Sequence, residues 1–194
     1  VWMRVPSTIK ININGSLAPN VMSKDVILKI IGDLTAAGAT YKSLEFCGDT
    51  IDSMSQSSRT TMANMAIEAG AKCAVFTPDT KTALYCDIEL DDFQSSLVGD
   101  EDAVYETVFN YKAEDFVPVM AVPSNVDHIV PISELKGIKV NQVFLGSCTN
   151  GRLEDLMEAA AILNGKHVAP YVKLIVTPAS RKIYMEAMEN GTDE

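Results

Sequence analysis

From Val140 to Ala187 the chain alternates strand, helix, strand, helix, and few architectures accept that rhythm. Val140–Leu145 and Val172–Val176 are short apolar runs, whereas Leu153–Leu163 and Ser180–Ala187 carry apolar residues at helical spacing. A strand, a helix and a second strand in this order close as a right-handed crossover onto a parallel sheet. The predicted class is α/β.

The residues before this stretch read the same way. Thr8 to Asn14 alternates through Ile9, Ile11 and Ile13, a half-buried strand broken by Gly15. Ser23 is placed to cap a helix through Val26, Ile27, Ile30, Ile31 and Leu34, with Gly38 ending it. Leu44–Phe46 predicts a short strand, and Gly48-Asp49 a turn. Ser58 to Ala69 predicts a helix with Met62, Met65 and Ala66 as its apolar stripe and Gly70 as its C-cap. Cys73–Phe76 reads as a buried strand, Pro78-Asp79 as the start of a turn or helix, 87–102 as an acidic surface excursion and Tyr105–Tyr111 as a strand. Pro118, Pro123 and Pro131 forbid a helix across the next stretch, so the domain boundary belongs there. Residues 1–128 are expected to form one α/β domain and 129–194 an incomplete second one.

Composition narrows the function. The 194 residues hold 16 Lys plus Arg against 26 Asp plus Glu, a formal net charge of -10. Such a chain is repelled by phosphate backbones, which argues against nucleic acid as a partner. No apolar run approaches the roughly 18 residues of a membrane span, and no signal peptide opens the chain. These features predict a soluble cytoplasmic protein with no membrane partner. Cys47, Cys73, Cys86 and Cys148 include no Cys-x-x-Cys pair, so free thiols are expected, most of them buried as small hydrophobes. His128 and His167 are too far apart in sequence to support a closed zinc site, and His128 beside Asp127 reads as a surface residue. The opening Val1-Trp2-Met3 and a last helix with no strand after it are expected of an interior portion of a longer polypeptide.

Two places concentrate the chemistry. In Gly146-Ser147-Cys148-Thr149-Asn150-Gly151-Arg152 a strand ends, a small polar loop follows, and a helix begins. Ligands of open parallel sheets bind at the carboxyl ends of strands, and a thiol near a helix N-terminus is favoured as thiolate, the form that binds metal. The same small residues are what any helix-capping loop uses, so spacing alone leaves the loop open between structure and chemistry. Asn64 and Glu68, four apart, share a helix face, where the carboxylate could serve proton chemistry or simply be solvated.

The run Gly146-Ser-Cys-Thr-Asn-Gly-Arg-Leu-Glu-Asp-Leu156 resembles the cluster-binding signature of the aconitase superfamily. With Gly-Arg after Thr-Asn, it is similar to the form carried by large subunits of isopropylmalate dehydratases and prokaryotic homoaconitases. Ala36–Cys47, Asn64–Ala71 and Val130–Leu135 are similar to further segments of those subunits, in the same order. The resemblance implies a three-layer α/β/α domain followed by the start of a second similar one. It implies a hydro-lyase that moves a hydroxyl between neighbouring carbons of a hydroxy-di- or tricarboxylate by dehydration and rehydration, the isopropylmalate interconversion of leucine biosynthesis being the leading expectation. It implies a [4Fe-4S] cluster with Cys148 as the first of three cysteine ligands, lined by Thr149 and Asn150. Asn64 would hydrogen-bond near the cluster, and Glu68 would handle the bound water or hydroxyl. The family's Cys-x-x-Cys pair and its Asp-Ser-His-Thr segment are missing from these residues, and Cys47, Cys73 and Cys86 all precede Cys148. The expectation is therefore a portion inactive alone, its cluster formed in the full-length protein, with a separate small subunit carrying the substrate-reading domain. Homoaconitase or another hydroxyacid dehydratase is the alternative within the family. Outside it stands a non-catalytic α/β module binding a small anion or a protein.

Overall fold

In the computed structural model the described residues are 2–89, 99–147 and 149–191. Cys148 and positions 90–98 of the acidic excursion lie outside them. The chain divides into two compact units between Leu135 and Lys136.

The first unit is built on a parallel sheet of β1 (Thr8–Asn14), β2 (Ser43–Cys47), β3 (Cys73–Phe76) and β4 (Thr107–Lys112), in the order β3-β2-β1-β4. Ile9, Ile11 and Ile13 of β1 are buried, and the cluster they join includes Val26, Ile27, Ile30 and Ile31 of α1 (Ser23–Leu34) and Met62 and Met65 of α3 (Gln56–Met65). Each such side chain contributes about 1.5–3 kcal/mol on burial. The alternate residues Lys10, Asn12, Glu45 and Cys47 are only half-buried on the opposite sheet face.

Several local expectations change. Met22, not Ser23, caps α1: its N–H donates to Asp25 Oδ2 (2.8 Å), while Oδ1 accepts from Val119 N–H (2.9 Å) and ties the helix to β5 (Val119–Ala121). The helix ends at Leu34, four residues before Gly38, because Thr35 turns to φ 69°. Gly48-Asp49 opens a short helix, α2 (Asp49–Ser53). β3 is an edge strand rather than a buried one, so Cys73 is exposed. Cys86, at the end of α4 (Thr80–Cys86), is exposed too, and Cys47 is half-buried, so the thiols of the described residues are not core groups. β5 pairs antiparallel with β6 (Ile129–Pro131), which keeps residues 129–135 with the first unit, whereas the sequence reading starts the second domain at 129.

The second unit pairs β7 (Gln142–Gly146) with β8 (Lys173–Thr177) in parallel, with α5 (Leu153–Leu163) between them and α6 (Arg181–Glu189) after them. Ser180 caps α6 by accepting from Ile183 N–H. Among the described residues of this unit, Leu156 and Ala187 are the buried apolar side chains. Among all the described residues, no helix is long and apolar enough to cross a membrane.

Candidate functional site: a strand-end loop and a helix-end carboxylate

The loop after β7 sits at the carboxyl end of its strand, as expected, and is bound at one foot to β8 and at the other to the turn after β8. Ser147 N–H donates to Thr177 O (3.1 Å), and Ala179 N–H donates to Gly151 O (2.9 Å). Gly146 and Gly151 have φ of 123° and 87°, and a Cβ on Gly146 would collide with the Thr177 carbonyl. Only glycine meets both demands at 146. Ser147 adopts φ 88° without that licence, an uncommon backbone state for a residue with a side chain.

Thr149 and Asn150 are half-buried in this loop. Asp155, at the third position of α5, accepts from Gly151 N–H (3.1 Å) and Arg152 N–H (3.0 Å) through Oδ2. Asn150 Nδ2 donates to the same carboxylate at 3.3 Å and 3.4 Å. Asn150 Oδ1 is buried and accepts from none of the described residues. Sequence reasoning did not single out Asp155; the available signal was a carboxylate three residues after a helix cap.

Asn64 and Glu68 lie in the first unit and are both exposed. Asn64 belongs to the last turn of α3, but at Ala66 the helix tightens into a 3-10 turn, Ala66–Ala69, that carries Glu68. Two steps of about 120° in place of about 100° swing Glu68 roughly 40° further round the axis than a continuous α-helix would. The turn is held by Ala39 N–H to Ala69 O (2.9 Å) and Tyr41 N–H to Gly70 O (3.2 Å). It lies where β2 and β3 begin, so this pair occupies the amino edge of its sheet.

The best-buried charge among the described residues of the first unit lies elsewhere. Arg59 is 1% exposed, and its guanidinium donates to Ile51 O, Asp52 O and Asp79 Oδ2 (2.6 Å). Lys81 Nζ covers Asp52 O, Ser53 O and Met54 O at 2.6–3.0 Å. Together the two cations hold the end of α2 against the start of α4, a framework role. Burial pushes the Cys47 thiol up, with Lys10 offsetting part of that, so it is a poor nucleophile. Among the described residues no group of three His, Cys, Asp or Glu side chains is placed to hold a metal.

The family model of the aconitase family (aconitate hydratase) matches residues 1–137 and 133–194. The chain belongs to the aconitase family. Within it, the chain is 48% identical over 193 residues to the 3-isopropylmalate dehydratase large subunit 2 of Archaeoglobus fulgidus, covering 98% of this chain and 46% of that protein. It is 45% identical over 193 residues to the 3-isopropylmalate dehydratase large subunit of Halothermothrix orenii, covering 100% of this chain and 46% of that protein. Large subunit 1 of Pyrococcus furiosus is 47% identical over 192 residues, covering 98% of this chain and 45% of its own length. The chain thus spans a little under half the length of these curated family relatives.

Proposed function

We propose that this chain is part of the large subunit of a 3-isopropylmalate dehydratase, a cytoplasmic hydro-lyase that interconverts 2-isopropylmalate and 3-isopropylmalate in leucine biosynthesis. The observation that carries this is identity of 45–48%, across nearly the whole chain, to proteins named as that subunit. Their designation as large subunits supports a small subunit as partner.

The reading includes a [4Fe-4S] cluster held by Cys148 and two cysteines from outside these residues, beside Thr149 and Asn150. The loop fits one corner of such a group. Its turn is built from small residues, and Asn150 Oδ1 is a buried acceptor with no partner among the described residues. When bound, the cluster supplies Lewis acidity toward a substrate hydroxyl.

This chain's own residues supply position and proton chemistry. The ties from Ser147 to Thr177 and from Ala179 to Gly151 anchor the two ends of the loop to the end of β8 and the turn after it. Glu68 is exposed, which leaves its carboxylate oxygens open to a substrate, and Asn64, four residues before it, offers an amide donor and acceptor.

The test is Glu68→Gln in the full-length large subunit assembled with its small subunit. Turnover is expected to fall about 100-fold or more with KM little changed. Unchanged turnover would remove Glu68 from the reaction.

A further inference from the structure

Resting on the cluster reading above, we propose that Asp155 is a positioning residue for the cysteine-bearing loop and sets which face of Asn150 that loop presents. A carboxylate only accepts hydrogen bonds, so the Asn150 group beside Asp155 must be the donating NH2. That chemistry fixes the amide's orientation and turns Oδ1 the other way, where it is buried and accepts from none of the described residues. Asp155 Oδ2 also gathers the N–H groups of Gly151 and Arg152, the last two residues before α5. One side chain therefore holds three consecutive residues, 150 to 152, immediately after Thr149.

The arrangement does more than cap a helix. In Asp155→Asn, the surviving oxygen can keep the two backbone donors only by turning its new NH2 toward the NH2 of Asn150. Two donors then face each other across the 3.3 Å contact, only the 3.4 Å contact to the surviving oxygen remains, and turning Asn150 over relieves the clash. Its acceptor moves to position 155, and an NH2 takes the place of the buried Oδ1. The loop keeps its helix but presents a donor where the parent presents an acceptor. A group bound at the loop meets the wrong polarity, and partners of this kind typically change metal affinity 10- to 100-fold.

The experiment uses the full-length large subunit, reconstituted anaerobically with iron and sulfide. Both are counted after desalting, and cluster absorbance is followed during challenge with an iron chelator. Asp155→Asn is expected to lose its cluster about tenfold faster than the parent. Ser180→Ala removes the cap of α6 in the same unit and is expected to stay within about twofold of the parent, as is Glu158→Gln on the exposed side of α5. Parent-like retention in Asp155→Asn overturns the proposal. Equal acceleration in Ser180→Ala overturns it too, since any lost cap would then suffice. Where Asp155→Asn does not fold, Asn150→Ala severs one arm and leaves the two backbone bonds. Faster cluster loss there supports the proposal, and parent-like retention overturns it. A parent that assembles no cluster overturns the cluster reading, and this proposal with it.

Discussion

Parallel strands joined by helices build both halves of this chain, yet the halves enclose very different amounts of apolar surface. In the first unit Ile9, Ile11, Ile13, Leu44 and Phe46 meet Val26, Ile27, Ile30 and Ile31 in one closed cluster. In the second, Val143, Phe144, Ile162, Val176, Tyr184 and Met185 of the same kinds of element remain at least 40% exposed. Sheet width explains the contrast. Among the described residues, the four strands of the main sheet give two inner strands that a helix layer can roof, whereas two strands are all edge and close over little. Charge separates the halves as well: the whole net charge of -10 belongs to residues 1–135, and seven cations balance seven acids in 136–194. Self-burial and charge thus gather in one unit, while the other pairs a neutral, apolar surface with the signature loop. Sharing a fold class says little about sharing a core.

This comparison can be broken by experiment. The largest effect is expected in native-state hydrogen exchange. Amides of β1 and β2 should exchange at least about a thousandfold more slowly than those of β7 and β8, and equal protection would refute the contrast. Next comes Arg59→Ala, which empties a buried site, takes the side-chain donor from Ile51 O and leaves Asp79 with only its amide donors. It should cost the first unit about 3–5 kcal/mol in urea unfolding while leaving exchange in the second unchanged. Matched truncations sharpen the point: Ile30→Ala should cost about 2–5 kcal/mol and Ile162→Ala no more than about 0.5. Similar values for the two would show that the second unit has a core of its own.

The smallest effect is one of pH. Burial pushes the Asp79 carboxyl up, but the Arg59 guanidinium and the Thr82 and Lys81 amides outweigh it and hold the carboxyl below its ordinary value. A depressed carboxylate stabilises the fold above its unfolded pKa, near 3.9, and that contribution disappears as pH falls through the lower folded value. The first unit should therefore lose stability below about pH 4, with a shallower slope in Asp79→Asn. An unchanged slope would show that the pair contributes nothing to acid sensitivity.

Much of the fold was legible where one period dominated. Three buried isoleucines in alternation mark β1 at its observed bounds, and the stripe of Leu153–Leu163 marks α5 at its own. The misreadings arose where tertiary placement decides. Cys-Ala-Val-Phe is equally apolar at an edge or in the middle of a sheet, and only pairing makes β3 an edge. Asn64 and Glu68 looked like an unbroken i, i+4 pair because nothing in their residue types marks the tightening at Ala66. The loop at 146–151 was legible from its small residues. Asp155 was not legible, since a carboxylate in the first helical turn is ordinary until its three donors are seen.

The two ties between the 146–151 loop and residues 177–179 carry a lesson for anyone transplanting this motif. Ser147 reaches Thr177, and Ala179 reaches back to Gly151, so the contiguous peptide is only half of the portable object. A graft of residues 146–155 into another α/β scaffold would leave both feet loose. The smallest transferable part is discontinuous, pairing 146–155 with 177–179 from the neighbouring strand end, and a host must offer two parallel strands in that register.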